Sequence, residues 1–391
     1  MAKTFNRQPV VWARGEGCRL WDKEGKAYLD FFAGHAVMNL GYAHPAQTAA
    51  MQAQMAALVH TGNLYYTEAQ VELAKRLTES TFGNKVLFSN SGAEIVELAI
   101  KLARKWARRE RPDEQRFEIL TMKGSFHGRT YGALTATGQE KLHQGIEPLL
   151  PGFKYVPFNN FVGAASGITN RTCAIMLEPV QGEGGITPAD KKYLQALRNL
   201  CDQNHLLLIF DEIQCGLGRL GTRNAYEAFD VVPDILLVAK PLGGGLPISA
   251  LVTRAEVASA LQVGDHGSTF GGNPVAAAAG CVLLAEVARP GFLENVKSTG
   301  EYFGKKLAEL GEKHPGLVQA VRGLGLMWGM ELSHSGPEAV RAALGKGLVI
   351  NCTAGKVLRF LPPLIVGRPE VDEACQILDA VLAALERSKE A

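Results

Sequence analysis

The chain has 391 residues, a length that at roughly 100–200 residues per domain allows two or three domains and excludes a single-segment binding module. Hydrophobic residues make up 47% of it and charged residues 20%, close to the averages of soluble globular proteins, so we expect no global disorder. The 41 basic and 39 acidic residues leave a formal charge of +2, which gives no electrostatic reason to expect a nucleic-acid or membrane partner.

The first residues and the cysteines bear on the compartment. Residues 1–17 contain no long apolar run, whereas a signal peptide typically has one. The most apolar stretch, 275–285, is far shorter than the roughly 20 residues that span a bilayer and predicts a buried helix. The 7 cysteines are widely spaced without a Cys-x-x-Cys pair. We therefore expect a cytoplasmic protein with no disulfide framework, no membrane segment and no metal site.

Helical patterns alternate with short apolar runs from about residue 70 to 255. In chain order they predict helix 68–80, strand 85–89, helix 93–109, strands 117–121 and 173–178, helix 190–204, and strands 206–210, 235–238 and 248–252. This alternation predicts a mainly parallel sheet covered by helices. Beyond about residue 290 the pattern predicts a smaller α+β domain, with helices 292–313 and 369–388 around strands 326–331 and 357–361.

The first informative segment follows strand 85–89, since ligands of an open α/β sheet bind at the carboxyl ends of its strands. There Ser91-Gly92-Ala93 opens a helix. The free N–H groups and the dipole of such a helix start favour an anion, and phosphate is the usual occupant. The alternative is an ordinary helix start capped by Ser91.

An acid and a lysine follow the next two strands of the large domain. Asp211 comes directly after strand 206–210, where a structural cap is the alternative. Lys240 follows strand 235–238 and precedes a proline and three glycines, where an exposed loop lysine is the alternative. An anion cradle, an acid and a lysine together are what a pyridoxal phosphate enzyme needs for the phosphate, the ring nitrogen and the aldehyde.

These segments also carry a family resemblance. The chain resembles the fold-type I, class III aminotransferases, and most closely their acetylornithine aminotransferase branch, across nearly its whole length. The matching motifs are Leu29-Asp30-Phe31, Gly62-Asn63-Leu64-Tyr65-Tyr66, Ser91-Gly92-Ala93-Glu94, Ser125-Phe126-His127-Gly128-Arg129-Thr130, Glu178-Pro179-Val180-Gln181-Gly182-Glu183-Gly184-Gly185, Asp211-Glu212-Ile213-Gln214, Ala239-Lys240, and Ser268-Thr269-Phe270-Gly271-Gly272-Asn273-Pro274. The resemblance implies an N-terminal segment 1–45 packed with the small domain, a large cofactor domain 46–285 and a small domain 286–391.

The resemblance also implies a role for each cofactor residue. Lys240 would hold pyridoxal 5'-phosphate as a Schiff base and carry the proton during transfer. Asp211 would pair with the pyridinium nitrogen, and Gln214 would lie near the ring hydroxyl. The segment Ser91-Gly92-Ala93 would bind the phosphate, and Thr269 would reach it from the neighbouring subunit. The active site would then belong to a homodimer.

The substrate residues follow from the same resemblance. Phe126 would stack on the cofactor ring, with a core phenylalanine as the alternative. Arg129 would grip a substrate carboxylate, with a solvated arginine as the alternative, and Ser268 would contact the substrate. Glu183 would pair with Arg359 and release it when the dicarboxylic 2-oxo acid enters the pocket. No metal role follows for the histidine beside Phe126, because no second ligand lies at metal-site spacing.

The reaction that these residues imply is an ω-transamination in arginine biosynthesis. N-Acetylornithine would give its terminal amino group to 2-oxoglutarate, yielding N-acetylglutamate semialdehyde and glutamate. Val96 leaves an alternative open, because it is similar to relatives in lysine biosynthesis whose substrates are attached to a small acidic carrier protein. His35 argues weakly against free ornithine, since relatives that use free ornithine have a tyrosine at that place.

Two other classes of protein are alternatives to an aminotransferase. The segment Gly216–Gly221 satisfies G-x-G-x-x-G and would suggest a nicotinamide oxidoreductase. That fingerprint requires a strand directly before it and a helix directly after it, and the sequence predicts neither. A non-catalytic pyridoxal phosphate-binding regulator would have no need of Arg129, Glu183 and Arg359.

Overall fold

A computed structural model gives the fold and describes residues 2–390. The chain divides into two compact units. The larger unit is Pro45–Lys297, and the smaller one joins Met1–His44 to Ser298–Ala391. The domain boundaries expected after residues 45 and 285 stay predictions.

The helices and strands have the following bounds. The strands are β1 Trp12–Glu16, β2 Arg19–Asp22, β3 Ala27–Asp30, β4 Lys85–Ser89, β5 Glu118–Met122, β6 Phe153–Val156, β7 Thr172–Leu177, β8 Val180–Gln181, β9 Thr187–Pro188, β10 Leu207–Asp211, β11 Ile235–Val238, β12 Ser249–Thr253, β13 Val318–Leu324, β14 Met327–Leu332, β15 Leu348–Val349, β16 Asn351–Thr353 and β17 Val357–Phe360. The helices are α1 Ala33–Ala36, α2 Pro45–Ala57, α3 Glu68–Glu79, α4 Gly92–Glu110, α5 Tyr131–Ala136, α6 Phe161–Gly167, α7 Lys191–Asn204, α8 Ala225–Phe229, α9 Ala255–Ala258, α10 Pro274–Val287, α11 Phe292–Lys313, α12 Gly336–Gly345 and α13 Arg368–Glu390. Short 3-10 helices cover Glu140–Leu142 and Lys240–Gly243.

A seven-stranded sheet in the order β4-β12-β11-β10-β7-β5-β6 forms the centre of the larger unit. The neighbours from β11 to β6 are parallel, and β12 is antiparallel to both β11 and β4. The predicted α/β class with a mainly parallel sheet is therefore confirmed. Strands β4, β10 and β11 all end at the same edge, because β4 and β11 flank the one reversed strand.

Helix α4 covers this sheet and carries much of the core of the larger unit. Its residues Ile95, Val96, Leu98 and Leu102 are fully buried against strands β7, β10 and β11. Burying aliphatic side chains of this size stabilises a fold by roughly 1.5–3 kcal/mol each. The core therefore fixes the first turn of α4 against the strand ends that the sequence singled out.

The smaller unit contains two four-stranded sheets, β1-β2-β3-β15 and β13-β14-β17-β16. Strand β15 lies parallel to β3, with Leu348 opposite Leu29. Buried aromatic rings pack edge-on in its core: Phe303 lies 5.3 Å from Phe31 and 5.5 Å from Phe360. The predicted strands 326–331 and 357–361 are β14 and β17. Helix α1 is a single turn whose residues all have positive φ.

Two further expectations concern membranes and metals. Among residues 2–390 no single helix is long and apolar enough to cross a bilayer. The consecutive helices α10 and α11 reach that length and hydropathy only as a pair, which is bent by 73°. The described part of the chain holds no group of three or more His, Cys, Asp or Glu side chains that could hold a metal ion.

Candidate active site

A cavity of about 260 Å³ lies in the larger unit where the strand ends meet. Its lining residues are Gly92, Ala93, Phe126, His127, Gly128, Arg129, Glu178, Glu183, Asp211, Ile213, Gln214 and Lys240. Eight of them are site residues predicted from the sequence. Ser91, Ser268, Thr269 and Arg359 are not among the lining residues.

The start of helix α4 forms one wall of the cavity. Ser91 is the N-cap, and its Oγ accepts a hydrogen bond from the N–H of Glu94 at 3.2 Å. The Glu94 carboxylate in turn accepts from the N–H of Asn90, the residue before the N-cap, at 2.7 Å, in a variant of the capping box. Because the first N–H groups of a helix have no partner within it, those of Gly92 and Ala93 are available to an anion in the cavity.

The carboxylate of Asp211 lies at the end of β10 and is 3% exposed. Its Oδ2 is 2.7 Å from Nδ1 of His127, and its Oδ1 accepts a hydrogen bond from the N–H of Ile213 at 3.1 Å. Burial alone would lower the pKa of His127, but the hydrogen bond and charge of Asp211, together with the charge of Glu178, raise it above its usual value. The charged imidazole is therefore favoured beside Asp211.

A second buried carboxylate, Glu178, follows β7 and lines the same cavity. Its two oxygens accept hydrogen bonds from the N–H groups of Phe126 at 3.0 Å and Gly182 at 3.1 Å. Burial, together with the charge of Asp211, raises the pKa of Glu178 to about 7, while His127 and the two N–H groups act in the opposite direction.

Lys240 lies at the end of β11, where the 3-10 helix Lys240–Gly243 begins. The side chain is half-buried and lines the cavity. Its φ of +29° is unusual for a residue other than glycine, and Pro241 follows it directly. Strained backbone of this kind is concentrated at functional sites. The structure therefore brings Lys240, Asp211 and the start of α4 to one cavity.

The loop that precedes α5 supplies an aromatic ring and a cation. The guanidinium carbon of Arg129 lies 5.5 Å from the centroid of the Phe126 ring. Arg129 is exposed, and the next residue, Thr130, donates from its hydroxyl to Glu97 at 2.6 Å. The same Glu97 oxygen accepts the first N–H groups of α5. Glu97 therefore fixes the loop that presents Arg129 to the cavity.

Gln214 and Glu183 lie at the wall formed by the segments after β8 and β10. Gln214 is buried and Glu183 is half-buried. A Cβ on Gly182 would lie 2.1 Å from Oε1 of Gln214, so any larger residue there would displace the end of the Gln214 side chain.

Ser268 and Thr269 do not line the cavity. Oγ of Ser268 accepts hydrogen bonds from Nδ2 of Asn90 at 3.1 Å and from the N–H of Gly271 at 3.0 Å. Thr269 lines a separate small depression with residues of the segment that begins at His60. This placement is compatible with the expectation that Thr269 serves a neighbouring subunit.

Arg359 lies on β17 in the smaller unit and is 1% exposed. One guanidinium nitrogen, Nη2, donates to Oδ1 of Asn351 at 2.8 Å, and the guanidinium carbon is 5.9 Å from the Phe32 ring. The proposed exchange between Glu183 and Arg359 stays a prediction.

The glycine motif Gly216–Gly221 does not form a dinucleotide site. A series of turns covers it, and the next helix, α8, begins only at Ala225. The preceding strand, β10, already ends at Asp211 and so does not lead directly into the motif. The oxidoreductase alternative therefore loses the feature that suggested it.

Sequence reasoning missed three residues that build the site. The sequence prediction considers His127 only as a metal ligand and assigns no role to Glu178 and Glu97. Glu178 could have been found, because it follows β7 at the same sheet edge as the other strand ends. The contacts of Glu97 and His127 depend on tertiary structure and have no local signal.

The residues present fit pyridoxal phosphate. Free helix N–H groups suit its phosphate, the buried carboxylate of Asp211 suits a protonated ring nitrogen, and Lys240 lines the same cavity. The mainly parallel seven-stranded sheet that carries them is the arrangement of a fold-type I pyridoxal phosphate enzyme.

Comparison with known proteins identifies the family. The chain belongs to the aminotransferase class III family, whose sequence model matches residues 1–382, and it is a pyridoxal phosphate-dependent transaminase. It is 53% identical over 383 residues to the acetylornithine aminotransferase of Caldanaerobacter subterraneus subsp. tengcongensis, a match that covers 98% of this chain and 97% of that protein.

Two solved structures are similar over nearly the whole chain. N-Acetylornithine aminotransferase from Stenotrophomonas maltophilia is 37% identical with a TM-score of 0.86, and the match covers 98% of each chain. Ornithine aminotransferase from Toxoplasma gondii is 32% identical with a TM-score of 0.94, and the match covers 99% of this chain and 93% of that one.

Proposed function

We propose that this chain transfers the terminal amino group of N-acetylornithine to 2-oxoglutarate, which gives N-acetylglutamate semialdehyde and glutamate in arginine biosynthesis. The observation that carries the proposal is the 53% identity to a full-length relative named acetylornithine aminotransferase. The cavity that joins Lys240, Asp211 and the start of α4 supports the reaction type. Structural similarity alone does not select the donor, since an ornithine aminotransferase has the higher TM-score of the two neighbours.

Four groups of the chain would share the chemistry. When bound, pyridoxal phosphate supplies an electron sink for the carbanion that forms at the substrate carbon. Asp211, oriented by His127, would keep the proton on the ring nitrogen. Nζ of Lys240 would take the proton from the substrate carbon and deliver it to the cofactor. The N–H groups of Gly92 and Ala93 would hold the phosphate.

The donor and the acceptor would use the same pocket in turn. Arg129 carries a planar guanidinium that suits a substrate carboxylate, and its packing on Phe126 restricts where it points. The acceptor 2-oxoglutarate has a second carboxylate, for which we assign Arg359. Glu183 would neutralise Arg359 while the donor is bound, because the positive charge of the arginine would otherwise disfavour the terminal amine.

A second copy of the chain would complete the site. Ser268 and Thr269 lie outside the cavity of their own chain, in a region with exposed apolar side chains: Leu64 is 94%, Tyr66 92% and Phe270 58% exposed. Large apolar groups exposed together mark protein interfaces. We therefore propose a homodimer in which Thr269 of one chain serves the phosphate site of the other.

Subunit mixing tests this shared site. The variants Lys240→Ala and Thr269→Glu should each be inactive, the second because a carboxylate would repel the phosphate. After subunit exchange, about half of the dimers are hybrids with one intact site, so activity should recover to about a quarter of the wild-type value. If exchange is shown by mass-tagged subunits and no activity returns, the shared site is wrong.

A donor panel tests the proposed substrate. N-Acetylornithine, ornithine, lysine and a carrier-attached lysine are each supplied with 2-oxoglutarate, and glutamate formation is measured. We expect the highest kcat/KM for N-acetylornithine, and a clear preference for any other donor would contradict the proposal. Arg129→Lys should raise KM for N-acetylornithine, because an ammonium group cannot form the paired hydrogen bonds of a guanidinium.

The alternative with an acidic carrier protein gains no support from the structure. Val96, the residue that suggested it, is fully buried in the core and does not line the cavity. Packing therefore accounts for a valine at this position. A cytoplasmic location stays a prediction, to be tested by fractionation of cells that express the chain.

A further inference from the structure

Three buried titratable groups surround one side of the cavity. Glu178 follows β7, Asp211 ends β10, and His127 lies in the loop after β5; their exposed fractions are 6%, 3% and 2%. His127 and Asp211 are joined directly at 2.7 Å. Within the described residues Nε2 of His127 is buried and has no hydrogen-bond partner. A hydrogen bond therefore stabilises the positive charge of His127 at Nδ1 only.

Glu178 connects two loops of the site through its carboxylate. One oxygen accepts from the N–H of Phe126 at 3.0 Å, in the loop that carries the ring and Arg129. The other accepts from the N–H of Gly182 at 3.1 Å, directly before Glu183. Replacing a buried carboxylate that accepts hydrogen bonds from two backbone N–H groups lowers stability, because each buried N–H group would lose its partner.

The charge of Glu178 complements these contacts. With all three groups ionised, His127 carries one positive charge and the two carboxylates carry two negative ones. A proton on the ring nitrogen of a bound cofactor would bring the buried cluster to neutrality. Other charged or titratable groups around it are Arg129, Glu183, Glu212, Cys215 and Lys240.

We propose that Glu178 is a positioning residue: it ties the Phe126 loop to the Gly182 turn and holds the proton on the buried His127–Asp211 pair. The inference rests on the proposed function in so far as Asp211 is assigned to the cofactor ring. Glu178 would not touch the reacting atoms, and it would act through His127 and through the two loops.

Two variants separate the effect of the charge of Glu178 from the effect of the length of its side chain. Glu178→Gln keeps the length but removes the charge, and one of the two backbone N–H groups then faces an amide N–H₂. Glu178→Asp keeps the charge but is one methylene too short to reach both loops. The control is Glu118→Gln, since Glu118 is buried in the same unit, pairs with Lys154 and Arg171, and does not line the cavity.

The first readout is the titration of the His127 ring in the cofactor-loaded protein, followed by NMR of ring-¹⁵N-labelled histidine and assigned with His127→Gln. We expect Glu178→Gln to lower the pH at which His127 loses its proton by about one unit, the lower end of the effect of a neighbouring opposite charge. Glu118→Gln should leave that titration unchanged.

The second readout is the dissociation constant of pyridoxal phosphate, measured by equilibrium dialysis. Both Glu178 variants should weaken binding by about tenfold, and Glu118→Gln by less than twofold; tenfold corresponds to about 1.4 kcal/mol. If His127 titrates in Glu178→Gln as in the wild type, or if cofactor binding in both Glu178 variants stays within twofold, the inference is wrong.

The design distinguishes this inference from the proposed function. If the wild type fails to turn over any donor but the His127 titration and cofactor binding respond to Glu178 as expected, the proposed function fails and the positioning role stands. If turnover of N-acetylornithine is found and neither readout responds, the positioning role fails alone. If thermal unfolding shows that Glu178→Gln does not fold, the dissociation constant of pyridoxal phosphate in Glu178→Asp tests the positioning role instead.

Discussion

The substitution Gly128→Ala tests the close packing of Gly128 between Ala93 at the start of α4 and Ala133 in α5. Gly128 has φ of +139°, a region that residues with a side chain rarely adopt. A Cβ there would lie 2.8 Å from the Cβ of Ala93 and 2.9 Å from that of Ala133. Neither neighbour can rotate away, because both contacts are to atoms fixed by the backbone. The new methyl group must therefore displace the start of α4 or of α5.

The magnitude has two parts. Forcing alanine into an unfavourable φ region costs roughly 1–3 kcal/mol, and overpacking a buried contact costs roughly 1–3 kcal/mol more. We expect the free energy of unfolding to fall by about 2–6 kcal/mol. Because Ala93 belongs to the helix start assigned to the phosphate, pyridoxal phosphate should also bind at least about tenfold more weakly, which is about 1.4 kcal/mol.

Gly145→Ala is the matched control. Gly145 also has positive φ, +79°, but a Cβ there would meet nothing within 4 Å. It should cost about 1–3 kcal/mol through backbone strain alone and leave cofactor binding unchanged. Stability is measured by urea unfolding of the cofactor-free protein, and binding by equilibrium dialysis. Equal losses in the two variants, with cofactor affinity retained in Gly128→Ala, would show that Gly128 is not closely packed against Ala93 and Ala133.

Two further predictions concern single groups. Ser91→Ala should lower the free energy of unfolding by about 1 kcal/mol in urea titrations, because the N-cap of α4 is lost. Ser91→Asp should restore most of this free energy. An alanine variant as stable as the wild type would contradict the capping role. Burial raises the pKa of Glu212 to about 8, although it accepts the N–H groups of Ala225 and Tyr226. Because the pKa of Glu212 is higher in the folded protein than in the unfolded chain, its contribution to stability is fully present below about pH 4.5. This contribution is lost as the pH rises through 8, by about 1.4 kcal/mol for each pH unit between these two values. Unfolding titrations from pH 5 to 9 should therefore show a decline that Glu212→Gln reduces by a few kcal/mol, and identical slopes would contradict the assignment.

The sequence predicted the elements that place the site because these carry strong local signals. Helix 93–109 and strands 85–89 and 235–238 match α4, β4 and β11 within one residue at each end. The sequence pattern does not predict β1, β2 and β6, because these strands are short and only partly buried. The reversal of β12 was missed as well, although the connection 239–248 after β11 is too short for a parallel crossover, which needs a dozen or more residues.

Within the site, the residues at strand ends could be found and their partners could not. Lys240 and Asp211 each follow a buried apolar run, and the rule for open sheets points to them. The pairing of Asp211 with His127 depends on where a loop 84 residues away in the chain returns to the sheet. Thr269 does not line the cavity of its own chain, so the role proposed for it requires a second chain.

Lys240 is the residue to which we assign the covalent attachment of the cofactor. The most direct measurement is to load the protein with pyridoxal phosphate, reduce it with borohydride, digest it and locate the pyridoxyl group by mass spectrometry. We expect one labelled peptide, which contains Lys240, and no label on it in the Lys240→Ala variant. Stoichiometric label on a different lysine, or the absence of label on the wild-type peptide, would contradict it.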